Sequence, residues 1–513
     1  MDCNGDNFFG GSRLCYATIL LILSTVAVGS AAGTSLGRNV RGVGTGPSVD
    51  LATQRLVLAT YLNNWEAGGG WDGWSYHACG VRHYPGTIYP NGTRDVASVY
   101  YPLIGAYDAG DEAVMEYHIR LAQASGIDVF VVDWDGVQGF GDFPRINTNF
   151  LKLLRVAEKM GFSLAIDYDA GRYYVGRYTV PGSGLIPDRA RALQAIHDDL
   201  VYAIKRFGSS SAYLRFGGKP VIFSFADFAL KPSEWSTILG ALANEGLSAY
   251  YVSMNAVLKS YPPFQGFFPW IDANAIIRHE TDSVSFINDW ADQFRSFSMY
   301  HQITWGLAVW PGFDDSPVNG WCGGSRVIGR NNGLLYNQTW TAAIRNGPQW
   351  VHVVTFNDWN EGTIVEPSLE FGYQYLYATA YFAARFKSQQ PSYDAIPVPL
   401  AIYNATLAIR AAESQGRAVG LDDARAKLDQ AKNSFDSKEY SESLTLAKQA
   451  LELANKATVP LTSSTRITTV TSSSSNVIQT SLLKYEWYLL PAAVLVVGVI
   501  FMIVRRVRRT VKH

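Results

Sequence analysis

Cysteine is scarce in this chain, with four in 513 residues. Cys3 and Cys15 fall in or before an apolar N-terminal run, which leaves Cys79 and Cys322 for the remainder. Neither sign of charge prevails. Forty-three Lys and Arg face 44 Asp and Glu, a formal net charge of −1, so no basic excess exists to neutralise phosphates and nucleic acid is not an expected partner. No His/Cys/Asp grouping has metal-ligand spacing, and no glycine-rich phosphate loop follows a strand. Neither a metal nor any other cofactor is expected. Aromatic residues, by contrast, are plentiful: 14 Trp and 29 Tyr within a 48% hydrophobic composition. Rings stack on the apolar faces of sugars, so this favours a carbohydrate-binding surface on a chain long enough for one large domain with accessory segments.

The ends read as targeting segments. Residues 1–33 have a signal-peptide layout, with Arg13, an apolar run from Cys15 to Val28 and small residues from Gly29 to Gly33. Asp2 and Asp6 offset Arg13, which leaves an uncleaved N-terminal anchor as the alternative. A linker covers 34–54. Near the other end, 487–504 is apolar over about a bilayer's thickness, and Arg505, Arg506, Arg508, Arg509 and Lys512 follow it. The positive-inside rule keeps this 505–513 tail in the cytoplasm and the rest of the chain outside, as a single-pass cell-membrane protein. Residues 458–481 form a Ser/Thr-rich stalk, and sequons at Asn91, Asn337 and Asn404 are compatible with an external location.

Between these ends, strand-like apolar runs alternate with helical spacing: 55–61, 129–132, 163–166, 220–224, 249–252, 275–277, 304–309 and 351–356. Eight β/α units over residues 55–392 predict an α/β fold of the TIM type, a closed (β/α)8 barrel. Cys79 and Cys322 would then occupy loops at one face, where a disulfide is geometrically open although sequence does not fix connectivity. Residues 399–457 are rich in Ala, Leu and Lys and read as three helices, a rigid spacer rather than a docking module.

Polar residues collect where the strands end: Asp133-Trp134-Asp135, Asp167-Tyr168-Asp169, Ser253-Met254-Asn255, Arg278-His279-Glu280 and Asp314-Asp315. The richest such end follows the last strand, where Asp358 and Glu361 lie three residues apart beside Asn357, Trp359 and Asn360. A polar turn capping the next helix is the bland reading. Two titratable acids beside amides and an aromatic ring are what sugar chemistry requires, because glycoside hydrolysis uses one group as acid and another at the anomeric centre.

The segment Phe356-Asn-Asp-Trp-Asn-Glu-Gly-Thr363 resembles the Phe-Asn-Glu-Trp-His-Glu-Gly-Thr motif of glycoside hydrolase family 99, the endo-α-1,2-mannosidases and mannanases and their relatives in polysaccharide gene clusters. Tyr100–Tyr107, Glu116–Arg120, Gly126–Trp134 and Trp310–Asp315 resemble other elements of that family in the same order. The resemblance implies a (β/α)8 barrel and a retaining reaction through a 1,2-anhydro sugar. Glu361 falls on the acid/base position and Asp358 on the position of the base for the substrate's 2-hydroxyl. Trp134 would pack on the donor sugar, its alternative being a core aromatic. Asp133, Asp167, Tyr61, Asn357 and Trp359 are expected in the pocket, and Glu366 in hydrogen bonds to the loop. The chain departs from the pattern at Asp358 and Asp167, both Glu in the family, and at Asn360, where the family has His. Each Asp shortens the reach by about 1.5 Å. A reshaped subsite taking another sugar or linkage is one coherent consequence. The expected function is therefore a membrane-anchored, retaining, endo-acting glycosidase whose partner is an α-linked, mannose-like oligo- or polysaccharide. A non-catalytic glycan-binding protein and a polysaccharide-assembly transglycosylase are the alternatives, and retention of Glu361 counts against the first.

Overall fold

A computed structural model describes residues 50–459 apart from 53, 69–72, 176–185, 187, 226, 255–262 and 280–282. The expected signal segment, the linker to residue 49, the stalk from 460, the apolar span 487–504, the basic tail, Asn255 and Glu280 lie outside the described residues.

Eight parallel strands close on themselves: β1 (Leu56–Tyr61), β2 (Val129–Trp134), β3 (Ser163–Tyr168), β4 (Lys219–Ser224), β5 (Tyr250–Ser253), β6 (Gly266–Phe267), β7 (Thr304–Val309) and β8 (Trp350–Val353). Each pairs with its neighbour in sequence, and β8 returns to β1 with Leu56 opposite Trp350 and Ala59 opposite Val353. These strands are nearly continuous apolar runs because both of their faces are covered. The main crossover helices are α1 (Glu112–Ser125), α2 (Phe143–Met160), α3 (Arg189–Arg206), α4 (Pro232–Asn244), α5 (Ser283–His301), α6 (Leu334–Asn346) and α7 (Gln374–Lys387). Their ends follow local chemistry. Asp111 caps α1 by accepting the Ala113 N–H, and Gly126, at φ 78°, closes it.

One strand falls elsewhere than the sequence pattern indicates. Residues 275–277, expected as the sixth strand, belong to a short helix, Ala273–Arg278, because Asp272 accepts the Ala275 N–H and caps it. The sixth strand is the two-residue Gly266–Phe267, too short to show a period.

After the barrel come α8 (Val398–Ser414), α9 (Leu421–Asp436) and α10 (Tyr440–Lys456). They do not stand apart as a spacer. α8 and α9 lie on α1, where Arg120 meets Asp436 at 2.7 Å, Lys432 meets Glu116 at 2.7 Å and Arg410 meets Asp111 at 2.8 Å; α10 packs on α8 and α9, and the apolar residues of all three join the barrel's own core. Among the described residues one helical stretch, Tyr393–Ser414, is long and apolar enough to cross a bilayer. Half of it is buried, and Ile402, Tyr403, Ile409 and Ala412 face protein, the pattern of a packed helix.

Candidate active site

Side-chain parity along the strands decides what faces the barrel axis, since successive residues point to opposite sides. Trp134 donates its indole N–H to Asn147 of α2 at 3.2 Å and lies parallel to Tyr202 of α3, so it faces the helices. Asp133, one residue earlier, therefore faces the axis. Tyr168 likewise reaches Asp199 of α3, which turns Asp167 inward. In register, Asp133 stands opposite Asp167 on the neighbouring strand. Two residues on, Asp135 and Asp169 add to this acidic corner, and oxygens of Asp133, Asp135 and Asp169 lie within 4.8 Å of one another. Carboxylates so crowded suit the hydroxyls of a sugar, and their spacing would also admit a cation.

The turn after β8 carries the candidate acids. Thr355 Oγ1 accepts the Asp358 N–H at 2.8 Å, and Asp358 Oδ1 accepts the Glu361 N–H at 3.0 Å. Asp358 is buried while Glu361 is half-buried. Gly362, at φ 60°, lets the chain pass Asp314, whose N–H donates to the Glu361 carbonyl at 2.7 Å and whose own carbonyl would lie 3.1 Å from an added Cβ. On the far side, Arg330 donates to the carbonyls of Gly362 and Ile364 at 2.8 and 2.9 Å. Its guanidinium is boxed by Tyr100, Phe371 and Tyr375 at 4.4–4.8 Å. Asn360, which replaces the family's His, spans the Gly73 and Ala97 carbonyls at 3.1 and 2.7 Å and so ties two loops together.

Beneath this turn lies a buried polar network. Glu366 accepts from Tyr107 (2.8 Å), Trp359 (3.1 Å) and His118 Nε2 (3.1 Å). With Nε2 donating, His118 Nδ1 is the acceptor for the Tyr61 hydroxyl at 3.0 Å. Burial first, then the Glu366 charge, push the Tyr61 and Tyr107 phenols above their ordinary range, so both stay donors. Asn357 joins through Tyr107 and clasps both backbone groups of Leu62. Tyr61, Asn357 and Trp359 thus belong to the floor under the site and not to its wall, and Trp134 is a core aromatic. The physical reason in each case is that the polar atoms are engaged in a fully buried layer.

Sequence reasoning passed over several supports. Asp199 accepts the Val137 N–H (3.0 Å) and the hydroxyls of Tyr168 (3.0 Å) and Tyr174 (2.8 Å), bracing the loop after β2; Gly136 beside it leaves no room for a Cβ, which would lie 2.2 Å from Asp199 Oδ2. Burial outweighs these donors and pushes the Asp199 carboxyl up to about 6. Cys79 and Cys322 are joined in a disulfide with Cα atoms 4.9 Å apart, and Trp321, next to it, donates its indole N–H to Glu361 Oε1 at 3.1 Å. The one sequence signal for Trp321 was its neighbour Cys322.

A closed parallel barrel whose carboxyl mouth is lined with acids has the form of a barrel glycoside hydrolase. Residues 184–387 match the model of glycosyl hydrolase family 99. The glycoprotein endo-α-1,2-mannosidase of Mus musculus is 21% identical over 349 residues, 62% of this chain and 70% of that protein. That of Rattus norvegicus is 23% identical over 296 residues, 55% and 60% of the two. The solved GH99 endo-α-mannosidase of Bacteroides thetaiotaomicron shares the fold, with a TM-score of 0.51 at 22% identity over 66% of this chain and 99% of that one. The family 99 match over residues 184–387 and the endo-α-mannosidase relatives support glycoside hydrolase family 99, and the chain is a glycoside hydrolase.

Proposed function

We propose that this chain is a retaining, endo-acting glycosidase of α-linked, mannose-like glycans, with Glu361 as acid/base and Asp358 as the base for the substrate's 2-hydroxyl. The observation that carries this reading is the single turn holding both carboxylates at the barrel mouth, on the same end as Asp133 and Asp167. Asp358 takes the proton of the 2-hydroxyl, O2 attacks C1, the C1–O bond to the leaving sugar breaks, and Glu361 gives its proton to the departing oxygen. Water then attacks C1 of the 1,2-anhydro sugar, Glu361 takes a proton from it, and O2 recovers its own from Asp358. Two inversions give retention. The route demands that O2 lie opposite the leaving oxygen, which holds for α-mannosides and fails for α-glucosides. The substrates named for the mouse and rat relatives favour the same sugar.

Asp358 and Asp167, each one methylene shorter than the family's Glu, favour a reshaped subsite that takes another linkage. The apolar run 487–504 and its basic tail support a place on the outer face of the cell membrane. Residues 46–459, with the helices docked on α1 retained, make the suitable protein for assay. A panel of α-linked manno- and gluco-oligosaccharides followed by chromatography tests the reading: α-mannosides alone should be cleaved, and cleavage of an α-glucoside would overturn the 2-hydroxyl mechanism.

A further inference from the structure

Trp321 is a large aromatic left 41% exposed at the mouth of the site, and the chain takes an unfavourable path to put it there. Asn319, Gly320, Trp321 and Cys322 have φ of 49°, 56°, 53° and 75°, four consecutive residues in the left-handed region that only Gly and Asn enter readily. Such a run persists only where its surroundings fix it. Here they do. Cys322 is bonded to Cys79, Asn319 Nδ2 donates to the Cys79 carbonyl at 2.9 Å, and the Gly320 N–H donates to the Asp315 carbonyl at 3.0 Å. Asp315 is in turn held by Arg326 through Nε at 2.8 Å and Nη2 at 2.6 Å. The Trp321 ring stands edge-on to Tyr76, with centroids 5.2 Å apart.

What this framework delivers is an indole N–H on Glu361 Oε1 and an open ring beside it. An acid in glycoside cleavage delivers its proton to the leaving oxygen, so the group that borders that acid borders the leaving sugar. We propose that Trp321 forms the subsite for the leaving-group sugar, its ring packing on the sugar's apolar face while its N–H holds Oε1 and so presents Oε2 of Glu361 to the glycosidic oxygen. The subsite takes a pyranose on the reducing side of the cleaved bond. It rests on Glu361 being the acid.

Two substrates separate this role from a merely structural one: an α-linked mannose oligosaccharide, and the α-mannosyl fluoride of the same donor sugar, which has no leaving-side sugar and departs with little help from an acid. In the full chain, W321A should lower kcat/KM for the oligosaccharide by about ten- to a hundredfold and that for the fluoride, which has no leaving-side sugar to bind, by several-fold less. W321F, which keeps a ring but loses the N–H, should recover KM for the oligosaccharide but not kcat. Equal losses on both substrates, or an undiminished rate on the oligosaccharide, would overturn the subsite while leaving the glycosidase reading intact. An unmodified chain that turns over neither substrate overturns that reading and the subsite with it.

Discussion

Asp358 Oδ1 accepts the backbone N–H of Glu361 at 3.0 Å. The two candidate acids are therefore not independent side chains that meet across the barrel. They are positions i and i+3 of one turn, and the side chain of the first helps to fix the backbone of the second.

Replacing Asp358 separates these roles. D358N keeps an oxygen to accept the Glu361 N–H but cannot take a proton from a sugar hydroxyl, so its melting temperature should stay within about 2 °C while kcat falls by about a hundredfold or more. D358E restores the family's reach but displaces the carboxylate from the Glu361 N–H. A displacement of about 1 Å costs on the order of a hundredfold, and D358E should also lose activity. A fully active D358N would remove Asp358 from the mechanism.

The Glu366 network carries stability. E366A leaves the donors of His118, Tyr107 and Trp359 buried without their acceptor, which should cost about 3 kcal/mol or more. E366Q, which keeps one acceptor oxygen, should cost less. Urea unfolding of the two variants checks both the order and the size; an unchanged midpoint in E366A would contradict the assignment.

Asp199 and His352 give stability opposite dependences on pH. Burial raises the Asp199 carboxyl to about 6 from 3.8, so the folded chain holds a proton that the unfolded chain has released, and this group's contribution declines as pH rises from about 4 to 6. His352 is inside the barrel, stacked on Phe268 at 4.2 Å and 2.8 Å from Thr60 Oγ1, and burial lowers it to about 3 from 6.5. It stays neutral where the unfolded chain would be protonated, so its contribution declines as pH falls from 6.5 towards 3. The two trends offset one another in the native protein. D199N removes the first, so its destabilisation should be greater at pH 4 than at pH 7 by about 2 kcal/mol. Urea titrations at both pH values measure this; an equal penalty would contradict it.

The link from Cys79 to Cys322 closes a sequence separation of 243 residues. Removing it in a C79S/C322S double variant should lower stability by about 2–4 kcal/mol. Cleavage of the oligosaccharide should fall more than cleavage of the fluoride, since the Trp321 loop loses its tether. Thermal melts and rates on the two substrates provide the check, and equal stability would contradict a closed link.

Much of this was legible in the sequence where local chemistry sets the outcome. Apolar runs placed β7 to the residue, and the Asp-rich strand ends marked the barrel mouth. Residues 275–277 misled because an apolar triplet fits helix and strand alike until a cap such as Asp272 is weighed. Trp134 and Tyr61 misled through parity: if Asp133 and Thr60 face the axis, their neighbours must face the helices. The clasp of Asp199 on the β2 loop and the bond between His118 and Glu366, 248 residues apart, were beyond reach. Long-range pairing of buried polar groups leaves no period or motif in a sequence.

The most direct test compares turnover of one α-mannose oligosaccharide by the unmodified chain and by E361Q, with folding of each followed by circular dichroism. Glu361 as the acid/base predicts a folded E361Q whose kcat is lower by about a thousandfold or more. A folded E361Q that cleaves the oligosaccharide at the unmodified rate would contradict the account.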